Sequence, residues 1–303
     1  MVLISSIESI IFFGPEINTE SGLIFNFSIK SYKVFLLTFL LFSCQSDGSN
    51  TQSINDESLT EDTPEKGSGE RVLVWADEFD GSTLDLNNWS FELGDGCPNL
   101  CGWGNNELQS YTDSNHRLED GLLVITAKKE GNYSSTRILT KGKQEFTYGR
   151  IETRVKVPTG AGLWPAFWAL GADIDTNSWP DCGEIDIMEY VGRNPGQVFT
   201  SVHTRSSHGN TVNTQITPVP NIEDDFHVFA IDWTETYIDF YLDENRVYQY
   251  SVQSQTAETW PFNKPFFLLL NLAVGGNYVG APTTNTVFPQ EMLVDYVRVY
   301  SAE

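Results

Sequence analysis

The chain has 303 residues, 40% of them hydrophobic and 19% charged, which excludes global disorder and suits one large strand-rich domain. Its formal net charge is −23, and residues 45–303 hold 16 basic against 38 acidic side chains, a net of −22. A polyanion such as DNA or a sulfated polysaccharide is therefore disfavoured as a partner, while a neutral or cationic one is easily accommodated; most of the acidity serves solubility.

Taken in chain order, residues 1–29 precede a segment with export-signal anatomy, KSYKVFLLTFLLFSC, Lys30 to Cys44. Two lysines are followed by an apolar run too short to span a membrane comfortably, then by a small residue before cysteine. The Leu41-Phe42-Ser43-Cys44 ending resembles a bacterial lipobox, which implies cleavage before Cys44, its acylation, and a membrane link only through that lipid. A secretory signal cut slightly later is the alternative. Because a signal starts at its charged end, translation is expected to start downstream of Met1. Gln45 to Glu70 is polar and acidic, has no aromatics, and reads as a disordered linker.

From Arg71 to Glu303, strand signals dominate. RVLVWADEF, GLLVITAKK, GRIETRVKV, GEIDIMEYV, FHVFAIDWTETYIDFYLD, FFLLLNLAV and MLVDYVRVY are rich in β-branched and aromatic residues, with Gly, Pro, Asn and Asp between them. The fold class is all-β, a sandwich or barrel of antiparallel sheets without internal repeats. Cys97 and Cys101 flank a Pro-Asn-Leu loop and either close a small disulfide, as export would favour, or stay free. Cys182 reads as a small buried residue. In GLWPAFW, Trp164 and Trp168 share one strand face, with Pro165 and Phe167 on the other. Pro165 predicts a strand start or an irregular segment.

WPDCGEIDIMEYVG, Trp179 to Gly192, places carboxylates inside an apolar run. In Glu184-Ile185-Asp186-Ile187, period two puts both acids on one face. Strict alternation would then turn Glu189 into the core, where an unpaired carboxylate is costly. One extra residue at Ile187-Met188, a β-bulge, returns Glu189 to the acidic face. Three carboxylates on one face repel, so at least one keeps its proton near neutral pH. Retaining glycoside hydrolysis uses that combination: a nucleophile and a general acid/base about 5–5.5 Å apart. Glu184 and Glu189 lie about four strand steps apart, roughly 13 Å, so their side chains must lean together on a twisted, concave strand. A solvated acidic face or a cation site is the alternative.

GEIDIMEY resembles the signature of glycoside hydrolase family 16 in its laminarinase-type form, which has one residue more than the EIDIE of lichenases, here at Met188. CPNLCGWGNNELQSYT, FTYGRIETRVKVPTGAGLWPAFWALG, FHVFAIDWTETYIDFYLD and VFPQEMLVDYVRVY resemble the family in the same order, spanning essentially all of residues 71–303. The resemblance implies a jelly-roll β-sandwich with a concave substrate cleft. It implies Glu184 as nucleophile, Glu189 as acid/base and Asp186 between them. It places Trp164 and Trp168 in the glycone subsites, Trp103 as a further wall, Asn106 and Arg137 on sugar hydroxyls, and His203 near the acid/base. Arg137 has an alternative as the partner of an acidic neighbour, and Asp181 reads as a turn residue.

The resemblance also implies a structural Ca²⁺ at Glu78, the Gly121 backbone and Asp295, and no cofactor for catalysis. The expected activity is that of a monomeric endo-β-1,3-glucanase acting on laminarin-like β-glucan, with no nucleic acid partner, at the cell surface or secreted. Its rivals are hydrolysis of mixed-linkage glucan or another family 16 polysaccharide, a non-catalytic glucan-binding protein, and a metal site on the acidic strand.

Overall fold

The alternating stretches fold into eighteen strands within residues 71–302, the part of the chain that this computed structural model describes. The expected signal segment, residues 1–44, and the linker, 45–70, lie outside the described residues. The first nine strands are β1 (Leu73–Asp77), β2 (Ser90–Glu92), β3 (Gln109–Tyr111), β4 (His116–Glu119), β5 (Leu122–Glu130), β6 (Asn132–Ser135), β7 (Arg137–Leu139), β8 (Glu145–Phe146) and β9 (Gly149–Lys156). The remainder are β10 (Leu163–Gly171), β11 (Glu184–Tyr190), β12 (Gln197–His203), β13 (Thr214–Pro218), β14 (His227–Trp233), β15 (Tyr237–Leu242), β16 (Asn245–Ser251), β17 (Phe266–Val274) and β18 (Gln290–Tyr300).

They form two sheets. The outer sheet runs β16-β15-β14-β9-β18-β5-β6-β3, with β1 on β18 and β4 on β5. The cleft sheet runs β13-β12-β11-β10-β17-β7-β2, with β8 on β17. The expected all-β jelly-roll sandwich is the fold observed. The pairing of β3 with β6 is parallel, a departure from the antiparallel expectation. The long FHVFAIDWTETYIDFYLD stretch is a hairpin: Thr234 Oγ1 accepts the backbone N–H groups of Thr236 (3.2 Å) and Tyr237 (3.0 Å), turning β14 into β15.

Between the sheets, Ile151, Val155, Phe229, Ile231, Val294 and Val297 of the outer sheet join Phe167, Ile185, Leu268 and Leu270 of the cleft sheet in one core. Strand β17 shows how the two faces divide. All nine of its residues are buried. Phe266, Leu268, Leu270, Leu272 and Val274 belong to the main core, while Phe267 and Leu269 belong to a second apolar cluster on the other face. The face that carries Phe267 and Leu269 also carries Asn271 and Ala273.

Strand β11 carries the expected bulge. Asp186 pairs with Ser201 and Glu189 with Phe199, so three steps on β11 oppose two on β12. On the other side Asp186 pairs with Trp168 and Met188 with Phe167, which identifies Ile187 as the residue without a ladder partner. Met188 is the extra residue by comparison with the shorter signature; in the ladder, Ile187 is. Both are buried in the main core with Ile185 and Tyr190, and Glu184, Asp186 and Glu189 take the opposite face. Pro165 is not a strand start: it is the third residue of β10, in regular register with Leu272. The β10–β11 ladder begins at Ala166 opposite Glu189, so Pro165 stands outside it, where its missing N–H breaks no rung of that ladder.

Ile185 is fully buried on the strand that carries the acids. Ile185→Ala is expected to lower the free energy of unfolding by about 2–5 kcal/mol in urea melts. A loss below about 1 kcal/mol would contradict this packing.

Candidate active site

Gly183 leads into the acidic strand with φ +77°, and a Cβ there would lie 2.7 Å from Pro261 Cγ, so the residue before Glu184 must be glycine. Glu184 is then opposite His203 in the β11–β12 ladder. His203 Nε2 lies 3.1 Å from Asp186 Oδ2 and 3.7 Å from Glu184 Oε1. The histidine expected near the acid/base has its direct contacts with the other two acids, and its charge also acts on Glu189. Glu189 sits between Ala166 and Phe199, and its Oε1 accepts a hydrogen bond from Trp164 Nε1 at 2.9 Å.

All three carboxyls are held above their ordinary range. Burial is the first cause at Glu184, pushed up to about 8; the charge of Asp186 adds to it, and the His203 imidazole and Arg137 guanidinium oppose it. Burial also raises Asp186, against a hydrogen bond with Glu184. Glu189 rises by burial and by the charge of Asp186, against His203 and the Trp164 hydrogen bond. The three titrate as a set that retains protons near neutral pH, as the spacing predicted. Apolar clusters on the same face account for the desolvation: Leu139, Leu170, Cys182, Phe267 and Leu269 on one side, Val191, Phe199 and Val279 on the other. Cys182 is fully buried, as expected, and its thiol is pushed up to about 12.

Trp164 and Trp168 both face the acids, separated on β10 by the small Ala166. Trp168 Nε1 donates to Asn271 Oδ1 at 2.7 Å. Arg137 opens β7, with its Cζ 4.8 Å from the Trp103 ring and 4.8 Å from the Trp168 ring. Its Nε lies 2.6 Å from Glu92 Oε2, so the reading of Arg137 as an ion-pair partner is realised. Trp103 sits in the short helical turn Cys101–Gly104, just after the small loop closed by a Cys97–Cys101 disulfide. Below it, Glu107 accepts hydrogen bonds from Asn105, Gln109 and Tyr111, and burial raises its carboxyl. Asn106 Nδ2 donates to Asn277 Oδ1 at 3.0 Å, at the rim. Tyr278 packs its ring 5.2 Å from Trp164 and 6.0 Å from Phe199.

Four residues of this neighbourhood were not singled out by the sequence reading. Asn271 had a legible signal, one polar residue in the otherwise apolar FFLLLNLAV. Glu92 and Tyr278 had none, since their roles come from partners distant in the chain, and Glu107, held by near neighbours, is marked by a burial that the local pattern does not show. The calcium set is engaged otherwise. Glu78 is held by Arg298 through two contacts of 2.8 Å, which keeps its carboxyl below the usual range, and Asp295 Oδ2 accepts from Arg154 Nη1 at 2.6 Å. As these side chains stand, they are two arginine ion pairs and do not form an open oxygen cage for calcium. Among the described residues, the metal-type ligand atoms that do converge are those of Glu184, Asp186 and His203.

An acid raised in the folded state binds its proton more tightly there than in the unfolded chain. Stability is unaffected below the unfolded pKa, falls as pH rises through the window between the two values, and stays reduced above the folded value. For Glu184 that window runs from 4.5 to about 8. Glu184→Gln is therefore expected to match the wild-type Tm near pH 4 and to exceed it at pH 8, by roughly 2–4 °C per kcal/mol recovered. An equal or lower Tm at pH 8 would contradict the assignment.

The model of glycosyl hydrolases family 16 matches residues 104–298. A β-glucanase of Rhodothermus marinus is 42% identical over 247 residues, covering 75% of this chain and 84% of its own. The solved structure of a laminarinase from Flavobacterium sp. UMI-01 is 55% identical with a TM-score of 0.74, covering 76% of this chain and 100% of that one. The laminarinase catalytic domain from Thermotoga maritima MSB8 is 42% identical, also with a TM-score of 0.74, covering 78% and 100%. With a family match over most of the described residues and relatives at this identity, the chain belongs to glycosyl hydrolases family 16.

Proposed function

We propose that this protein is a retaining endo-β-1,3-glucanase acting on laminarin-like glucans. One observation carries the reading: the bulge in β11 sets Glu184, Asp186 and Glu189 on one desolvated face beside Trp164 and Trp168. Similarity to laminarinases supports the β-1,3 linkage, and the acidic chain suits a neutral polysaccharide.

In the reaction, ionised Glu184 attacks the anomeric carbon while protonated Glu189 donates its proton to the departing glycosidic oxygen. A glycosyl–Glu184 ester forms and the C–O bond to the leaving sugar breaks. Water then attacks the anomeric carbon, Glu189 takes its proton, the C1–O bond to Glu184 breaks, and Glu184 leaves as carboxylate. Asp186 and His203 set the charge around Glu184, and the hydrogen bond from Trp164 favours the ionised form of Glu189 needed in the second step. The glucan's glycone side lies over Trp164, Trp168 and Trp103. The two-carboxylate reaction needs no cofactor.

The protein is expected to release reducing ends from laminarin with the β-anomer formed first, and Glu184→Gln to abolish that release. An initial α-anomer, followed by NMR, would overturn the retaining mechanism, and turnover of lichenan or agarose in preference to laminarin would overturn the linkage.

A cell-surface setting with Cys44 as the lipid anchor is part of the proposal. It is supported by the Lys30–Cys44 pattern and by the Cys97–Cys101 disulfide, which suits an oxidising compartment. Metabolic palmitate labelling should appear in the wild type and vanish in Cys44→Ala; an unlabelled wild type would refute the anchor.

A further inference from the structure

The pairing of β11 with β12 brings three atoms of metal-ligand type together: His203 Nε2, Asp186 Oδ2 and Glu184 Oε1. Glu184 is the ladder partner of His203, and Asp186 stands two residues further along the same face. The nitrogen lies 3.1 Å from the Asp186 oxygen and 3.7 Å from the Glu184 oxygen, and all three atoms fall within 4.8 Å of one another. Zinc bonds of about 2.0–2.2 Å at a tetrahedral angle hold two ligand atoms about 3.3–3.6 Å apart. The two nitrogen–oxygen separations stand just either side of that range. Side-chain shifts of a few tenths of an ångström would give one ion all three ligands.

The set is also short of partners. Asp186 is 4% exposed, yet its Oδ2 has no hydrogen-bond partner, because the approach of His203 Nε2 is not aligned for one. Ser201, opposite Asp186 in the ladder, turns its hydroxyl to Thr214 Oγ1 at 2.9 Å instead. Among the described residues, no lysine or arginine forms an ion pair with Glu184 or Asp186. A buried carboxylate oxygen in that state is costly, and a bound cation would satisfy it. Glu189 is opposite Phe199 and bonded to Trp164, so it is not a fourth ligand. Glu184 keeps 16% of its side chain exposed to the cleft, which leaves the fourth position to water. One imidazole, two carboxylates and an open position suit zinc, whereas calcium takes six to eight oxygens.

We propose that Glu184, Asp186 and His203 form a reversible site for a first-row divalent cation, Zn²⁺ above all, and that the bound ion silences the enzyme by occupying the oxygen with which Glu184 attacks. The cation takes lone pairs from the three side chains, and no electron is transferred. Binding stands on the geometry of the three ligands, and only the inhibition rests on the glucanase reading.

Calorimetric titration of the wild type with ZnCl₂ in a non-coordinating buffer is expected to show saturable binding, and MgCl₂ at the same concentrations none. His203→Ala is expected to weaken Zn²⁺ binding about tenfold or more. Glu184→Gln, which keeps the side-chain volume, should do the same and serves if the alanine variant folds poorly. His208→Ala removes an exposed imidazole outside the set and should bind as the wild type does. In assays on laminarin, Zn²⁺ should raise KM and leave kcat unchanged, with full reversal by EDTA. No binding by the wild type, undiminished affinity in His203→Ala and Glu184→Gln, or loss of binding in His208→Ala would each overturn the site. Zn²⁺ that lowers kcat without raising KM would overturn its placement on the Glu184 oxygen. A wild type that binds Zn²⁺ through His203 yet never cleaves laminarin would instead overturn the glucanase reading.

Discussion

One ladder position without a partner, Ile187, governs the site. It lets two consecutive apolar side chains, Ile187 and Met188, enter the core while the next residue, Glu189, returns to the face of Glu184 and Asp186. Without it the strand would have to bury Glu189 among Phe167, Leu268 and their apolar neighbours, at the high cost of an unpaired buried carboxylate. The core thus enforces the acidic register: satisfying four apolar side chains of β11 leaves three carboxylates only one place to go.

The same arrangement opposes itself electrostatically. Burial between two small apolar clusters and mutual repulsion push the three acids towards protonation, while His203, Arg137 and the Trp164 N–H pull towards ionisation. Neither tendency wins outright, and a site with both a charged and a protonated carboxyl results. The stability lost there is borne by the main core, whose β17 is apolar at eight of nine positions. Catalytic strain and core strength are linked through neighbouring strands.

Local pattern carried much of this. Period-two alternation located β11, the acid spacing implied its bulge, and Cys97 and Cys101 were close enough in the chain to suggest their bond. Pro165 was misread because its compatibility with β10 depends on where β11 starts pairing, a non-local fact. His203 was placed on the correct strand, but its direct contacts with Asp186 and Glu184 were not legible, since register between strands is set by their packing. Glu92 and Tyr278 could not be found locally: Glu92 acquires its role from Arg137 on a strand adjacent in the sheet yet distant in the chain, and Tyr278 from rings on β10 and β12.

The floor between the tryptophans is notable for how little it contains. Ala166 lies between Trp164 and Trp168, and Ala273 sits opposite Trp164 in the next strand. Two methyl groups at the base of a trough walled by indoles define its depth, and depth decides which sugars can rest there. A larger side chain at Ala273 would raise the floor, and one at Ala166 would also press on Glu189, its ladder partner. Selectivity among polysaccharides can therefore drift in this scaffold through changes of a few atoms at Ala273, while the carboxylates and the core that positions them stay as they are.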